Sequence, residues 1–584
     1  MSMQAGGGAA QFLTSVLLAA LLGACTMPAQ TPAAAADAAD DTATQISSPL
    51  GSYLAGRHAQ QQHDYGAAAK YFGQALAQDP SDYELMNKTF LFELSEGRMD
   101  TAKELAARIN RIDATSPLPN LVLVLERLKS GDFAGADGEA QNLPHDGIHR
   151  FMTPLVQAWT KVGVGQHAAA LEALTPLRQV QGFSPLADFH AGLIEDLAGR
   201  TSEAEADYKK VAQPNSRANW RSVETLGGLY ERSGRADEAK TLYQRFLAEN
   251  PDSDLATAAL ARIAAGEKPG PRVGGPADGA AEALFDLASV LDQNETADLS
   301  LIYARLAVSL KSPFPLAQLL VADILESEHR SAEALAIDQA IPRQSPYSWS
   351  ARLRAASNLE TLDRTDEAIA ELKAMAAERP DRPDALIQLG DVFRAKNRFT
   401  EAVEAYDGAI QRIPKPEARH WGVFYSRGVA LERSGQWPRA EADLLRALEL
   451  QPEQPLVLNY LGYSWVDKGV KLTEAMRMIQ RAVELRPNDG YIVDSLGWAF
   501  YRLGNYTQAA QQLEHAVELH PQDPTINDHL GDAYWQLGRV VEARNQWRRA
   551  LQFGPEADEI KTIEAKLDKG LAKPAPVAAT VQGG

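Results

Sequence analysis

The chain has 584 residues, a formal net charge of −19 at pH 7 and one cysteine. A lone thiol cannot close an internal disulfide, so no disulfide framework holds the fold, and the acidic balance argues against a nucleic-acid polyanion as ligand. Aromatic residues are only 7 % while alanine is plentiful, which suits closely packed helices better than strands.

Phe12–Ala24, FLTSVLLAALLGA, is the one strongly apolar run. At roughly 13 residues it is too short to span a bilayer, which needs ~20, but it matches the hydrophobic region of an export signal. Met1–Gln11 carries no Lys or Arg, so the usual basic leader is missing. Leu22-Gly23-Ala24-Cys25 then resembles a bacterial lipobox. That resemblance implies a signal peptide over 1–24, cleavage before Cys25, and acylation of the thiol and the new amine. Several acyl chains together give stable anchoring where one gives only marginal binding. Thr26 stands where an Asp favours inner-membrane retention, so the resemblance implies the outer membrane, periplasmic face. Residues 25–48 are rich in Ala, Thr, Asp, Pro and Gln and read as a disordered tether.

From residue 49 a single pattern recurs. Gly56, Tyr65, Ala68, Phe72, Ala75 and Pro80 give its first copy, and Leu226-Gly227, Tyr230, Gly234, Ala239, Tyr243 and Pro251 a later one. Between them EGRMDTAKEL, SGDFAGADGEA and VGVGQHAAALEAL hold the phase but lose most of the recurring residues. Gly266–Ala280, GEKPGPRVGGPADGA, forbids a continuing helix and is expected to divide an N-terminal array (49–265) from a C-terminal one (281–555). In the second array LGYSWVDKG, LGWAFYRLG and LGDAYWQLG begin at Leu461, Leu496 and Leu530, and Pro487, Pro521 and Pro555 follow at intervals of 34 residues. Small residues at Gly497 and Ala509 allow two helices to approach, and the prolines end the second helix of each pair. The columns match the tetratricopeptide repeat (TPR), a helix–turn–helix of ~34 residues. The resemblance implies an all-α TPR solenoid, a right-handed superhelix of about fourteen repeats in two arrays. Residues 556–572 read as a polar capping helix and 573–584 as a loose tail.

No catalytic motif is present: there is no H-E-x-x-H, no G-x-S-x-G, no Walker A loop and no Cys-x-x-Cys. His145 and His149 flank a glycine at a repeat junction, and His515, His520 and His529 read as solvated turn residues. No enzyme activity, metal or cofactor is expected. In TPR structures positions 2, 5, 9 and 12 of the first helix, helix A, form one stripe on the concave face. Here that stripe carries Tyr491, Asp494, Trp498 and Tyr501, preceded by Asn459 and Tyr463 and followed by Asp528, Asp532 and Trp535. Two arrangements fit these residues: an aromatic partner-binding groove edged by carboxylates, or rings packed between neighbouring A helices. Position 5 is Ile387, Tyr425, Asn459, Asp494 and Asp528, not the Lys, Arg and Asn that a clamp for C-terminal carboxylates needs.

The block LNYLGYSWVDKGVKLTEAMRMIQRAVELRPNDGYIVDSLGWAFYRLGNY, the lipobox and the length together resemble the long TPR outer-membrane lipoproteins of Gram-negative bacteria, of which the LbcA-type adaptor is the best-understood form. That resemblance implies a membrane-anchored, non-enzymatic scaffold that holds a periplasmic carboxy-terminal processing protease and its substrates, peptidoglycan hydrolases among them. The alternative is a structural scaffold for an envelope-assembly or polysaccharide-export complex without a protease.

Overall fold

The computed structural model describes residues 48–212, 219–291 and 296–571, and among these the chain is helical with no strand. Cys25, the signal peptide, all but the last residue of the tether, and the tail at 573–584 lie outside the described residues. The helices divide between two compact units, the first ending in sequence at Ala368 and the second beginning at Ile369.

The first unit contains α1 (Pro49–Gln61), α2 (Tyr65–Gln78), α3 (Tyr83–Ser95), α4 (Met99–Ile112), α5 (Pro117–Ser130), α6 (Phe133–Ala140), α7 (His149–Gly163), α8 (His167–Ala173), α9 (Thr175–Arg178), α10 (Ser184–Leu197), α11 (Thr201–Val211), α12 (Trp220–Arg232), α13 (Ala236–Glu249) and α14 (Asp254–Ala264). It continues with α15 (Pro276–Leu291), α16 (Ala297–Leu310), α17 (Pro315–Ser327), α18 (Ser331–Ala340), α19 (Ser348–Thr361) and the start of α20 (Thr365–Glu378). The second unit takes the rest of α20, then α21 (Asp384–Ala395), α22 (Phe399–Gln411), α23 (Trp421–Arg433), α24 (Trp437–Leu450), α25 (Pro455–Lys468), α26 (Leu472–Leu485), α27 (Gly490–Arg502), α28 (Tyr506–Leu519), α29 (Pro524–Gln536), α30 (Val540–Gln552) and α31 (Ala557–Lys569). Paired in order, they make about fourteen helix–turn–helix repeats.

Local chemistry explains the pairing. Proline opens α25 and α29 at the first turn, where its missing N–H is not needed. Gly504 and Gly538 turn the first helix into the second with φ of 80° and 79°, a left-handed conformation that suits glycine. At mid-helix a glycine column lets a large residue of the second helix reach the first: Gly192 lies against Tyr208, Gly227 against Tyr243, Gly390 against Tyr406, Gly497 against Leu513 and Gly531 against Trp547. A Cβ at any of these positions would overlap that neighbour.

The glycine- and proline-rich stretch differs from its sequence reading. The chain is non-helical only over 265–275, and residues 276–280 already belong to α15. Nor does the first body end there: α15 packs on α5, α7 and α10, and α16 packs on α3 and α5. Small residues make this possible. Gly279 sits directly against the Trp159 ring, and Ala280, Ala281 and Ala283 are fully buried.

Candidate partner-binding surface

In the first unit the face formed by α3, α5, α7 and α10 is occupied by the chain itself. Trp159 Nε1 donates to His190 Nδ1 at 3.1 Å, so the ring proton sits on Nε2, which donates to Asp286 Oδ2 at 3.1 Å. Arg221 answers Asp286 and lies 2.6 Å from Glu282, with its guanidinium over the Phe189 ring. Glu282 is fully buried and also receives Lys311 at 2.6 Å and Arg272 at 3.2 Å. Burial alone would raise its pKa, but Arg272, Arg221 and Lys311 outweigh that and hold it well below the usual carboxylate range. A cleft of about 260 Å³ opens beside this cluster, walled in part by Glu224, Arg232, Arg272, Lys311, Phe314 and Tyr347. Each of those cations already faces a carboxylate: Arg232 meets Asp196, Arg272 meets Glu224 and Glu282, and Lys311 meets Glu282. The cleft therefore offers no unanswered charge to a ligand.

The second unit carries the nine stripe residues on α25, α27 and α29, the first helices of three successive repeats. Asn459 donates to Ser495 Oγ on the next repeat at 3.1 Å, and its Oδ1 is buried without a partner. Tyr463 is half-buried, and burial, with Asp494 and Asp467 nearby, pushes its hydroxyl up to about 12. Asp494 accepts from His529 Nδ1 at 3.0 Å. Trp498 is stacked between two rings, Tyr501 with centroids 4.7 Å away and His529 at 4.0 Å. Tyr491 points elsewhere: it is 41 % exposed and stacks on His520. In the last repeat Lys566 of α31 bonds both Asp528 (2.7 Å) and Asp532 (2.8 Å). Asp532 also accepts from Trp547 Nε1 at 2.9 Å, and Trp535 Nε1 donates to the Leu571 carbonyl at 3.0 Å.

The stripe is thus both packing and surface. Asp494 and Trp498 seat the neighbouring A helix, while Tyr463, Trp498 and Tyr501 stay half-exposed. The carboxylate edge differs from its expectation, because His529 and Lys566 neutralise it. His529 is a correction to the sequence reading: its side chain is 12 % exposed and held by Asp494. Burial would lower its pKa, but Asp494, with Asp528 and Asp532 close by, outweighs burial and raises it. Spacing could have shown this, since Asp494 and His529 are 35 residues apart, one repeat plus one. His515 is solvent-facing and His520 lies under Tyr491. Among the described residues no group of three or more His, Cys, Asp or Glu could hold a metal ion, and no helix is long and apolar enough to cross a membrane.

Comparison with known proteins agrees with the helix pairs. A model of the tetratricopeptide repeat matches residues 53–117, 155–219, 353–416, 425–490 and 495–558, more than half of the chain, and a second model of that repeat matches 220–263. The TPR repeat-containing protein PA4667 of Pseudomonas aeruginosa is 31 % identical over 154 residues, 26 % of either chain. Human tetratricopeptide repeat protein 13 is 28 % identical over 142 residues, 24 % of this chain and 16 % of its own. The chain therefore spans about a quarter or less of the length of these relatives. Among solved structures, the Cut9-Hcn1 hetero-tetramer of the APC/C is similar at 15 % identity and a TM-score of 0.37, with 90 % of this chain and 97 % of that one covered. Yeast Tom70 is similar at 14 % identity and 0.29, covering 89 % and 95 %.

Proposed function

Because the chain belongs to the tetratricopeptide repeat family, whose repeats form protein–protein interaction scaffolds, we propose that it is a non-enzymatic adaptor. In this reading it is anchored through acylated Cys25 to the outer membrane, facing the periplasm. It brings substrates such as peptidoglycan hydrolases to a carboxy-terminal processing protease. The observation that carries the docking reading is the row of half-buried rings Tyr463, Trp498 and Tyr501 on successive A helices of the second unit. Large rigid aromatics with a polar edge are the usual anchors of protein interfaces. The first unit's corresponding face is filled by α15 and α16, which directs partners to the second. The lipobox supports the anchor, and the resemblance of the C-terminal repeats to LbcA-type adaptors supports the protease.

Photo-crosslinking from Tyr463 in intact cells, followed by identification of the captured protein, tests the docking reading. A processing protease or its substrate is the expected catch, lost in a Trp498→Ala chain. Envelope-assembly components in its place would replace the protease reading by a purely structural scaffold. Fractionation tests the anchor: Cys25→Ala should move the protein from the membrane to the soluble fraction. Wild-type protein that is already soluble after lysis would refute it.

A further inference from the structure

The last repeat's stripe is covered by the chain's own α31, and the way it is covered says what else fits there. Ile563 is the one described side chain of α31 that is fully buried, whereas α30 buries Ala543, Trp547 and Ala550, and α28 buries four residues. So little apolar burial puts α31 at the low-stability end of the unit. Leu567 and Leu571 add partly buried contacts with the core of the last repeats, and polar bonds on the stripe itself complete the hold: Lys566 on Asp528 and Asp532, and the Leu571 carbonyl on Trp535. Gly570 lies flat against the Trp535 ring, where a Cβ would overlap it, at a φ of +71°. The charge match is incomplete. Lys566 reaches one oxygen of each carboxylate, and Asp528 Oδ1 is buried with no partner. A guanidinium fork, with five donors in a plane, answers two carboxylates more fully than a single ammonium.

We propose that α31 is a displaceable cover, and that the segment which displaces it is a partner's chain placing an arginine over Asp528 and Asp532 and an apolar residue against Trp535. The proposal rests on the reading of this stripe as a docking surface. It adds that the docking surface is masked at its end in the free protein and that its ligand is basic. Asp494 does not compete for the arginine, because His529 already answers it.

The test uses the full chain and a labelled peptide of residues 556–571, in its native form and with Lys566→Arg or Lys566→Ala, read by fluorescence anisotropy. Two variants open the cover by different means. Lys566→Glu sets three carboxylates together, and Gly570→Ala strains the seat on Trp535. Circular dichroism checks that each keeps its helix content. Hydrogen exchange in the wild-type chain should be faster over 557–569 than over α29 and α30. Both variants should bind the native peptide at least tenfold more tightly than the wild-type chain does. The Arg peptide should bind at least threefold tighter than the native one, and the Ala peptide at least tenfold weaker. Equal binding by wild type and variants would overturn the cover, as would α31 exchanging as slowly as α29. An Ala peptide as tight as the Arg peptide would overturn the basic ligand. None of these outcomes depends on a cellular partner, so they are read separately from the crosslinking result.

Discussion

Glu282 is where the charges of the first unit's core converge: Arg221, Arg272 and Lys311 all pair with it. Glu282→Gln preserves the shape and removes one negative charge at a fully buried position. Arg221 keeps Asp286, and Arg272 keeps Glu224, but Lys311 is left with neutral acceptors alone, the new amide oxygen and the Arg272 carbonyl. Breaking a fully buried pair costs about 3–5 kcal/mol, and Lys311 is only partly buried, its side chain 18 % exposed. The amide oxygen still accepts from Lys311, so the low end, about 3 kcal/mol at pH 7, is expected. The pH dependence follows from the depressed carboxyl. A group whose folded pKa lies below its unfolded value of 4.5 contributes stability above pH 4.5, and that contribution is lost as pH falls through the folded value. At pH 3.5 the unfolded carboxyl is mostly protonated and the folded one is not, which shrinks the difference between wild type and variant by about 1.4 kcal/mol. Urea unfolding followed by circular dichroism at both pH values measures it. Lys311→Met combined with Glu282→Gln should recover most of the loss, since the stranded charge goes with it. A cost under about 1 kcal/mol at pH 7, or one that is the same at pH 3.5, would show that the cluster is not held by charge.

Three other outcomes are expected. Proteolysis within 265–275 should nick the chain, but the two pieces should elute together from a sizing column without denaturant, because α15 and α16 are embedded among α3, α5, α7 and α10; separation would contradict the packing. Trp498→Ala removes two ring stacks at about 0.5–1.5 kcal/mol each and should lower stability by about 2 kcal/mol while weakening partner affinity on the order of tenfold; a destabilised variant with unchanged affinity in its folded fraction would move the binding surface elsewhere. Asp338 is buried beside Glu326 and Arg354, and burial pushes its carboxyl up to about 7. Its folded pKa exceeds the unfolded one, so stability falls as pH rises from about 4 to 7, and Asp338→Asn should gain up to about 4 kcal/mol over wild type at pH 8 and little at pH 4; equal effects at both pH values in urea melts would refute the assignment.

The repeats were legible because each is local. Gly497 and Leu513, or Gly531 and Trp547, lie within one helix pair, so the small–large column is written in a short stretch of sequence. The stripe was legible as a face, since helical spacing alone puts Trp498 and Tyr501 together. Its state of charge was legible only in part: Asp494 and His529 stand one repeat plus one apart on neighbouring A helices, whereas the Lys566 that answers Asp528 comes from α31, which follows no repeat column. The return of α15 and α16 left no local signature. Arg221 and Glu282 are 61 residues apart, His190 and Asp286 are 96 apart, and Arg330 and Glu96 are 234 apart. The glycine- and proline-rich stretch 266–280 was read as a divider between two arrays, but the helix resumes at Pro276 and packs back into the first unit: a break in the helix is not a break in the core.

That return also sets an order on folding. The inner wall of the first unit, with Trp159 and Phe189 on it, is built from helices that end at Leu197, yet the helices that fill it end at Leu310. A chain that arrives in its folding compartment N-terminus first therefore holds an apolar trough open until more than a hundred further residues have followed. A truncated chain ending between residues 197 and 276 should expose that trough and aggregate, whereas one that runs past Leu310 should not.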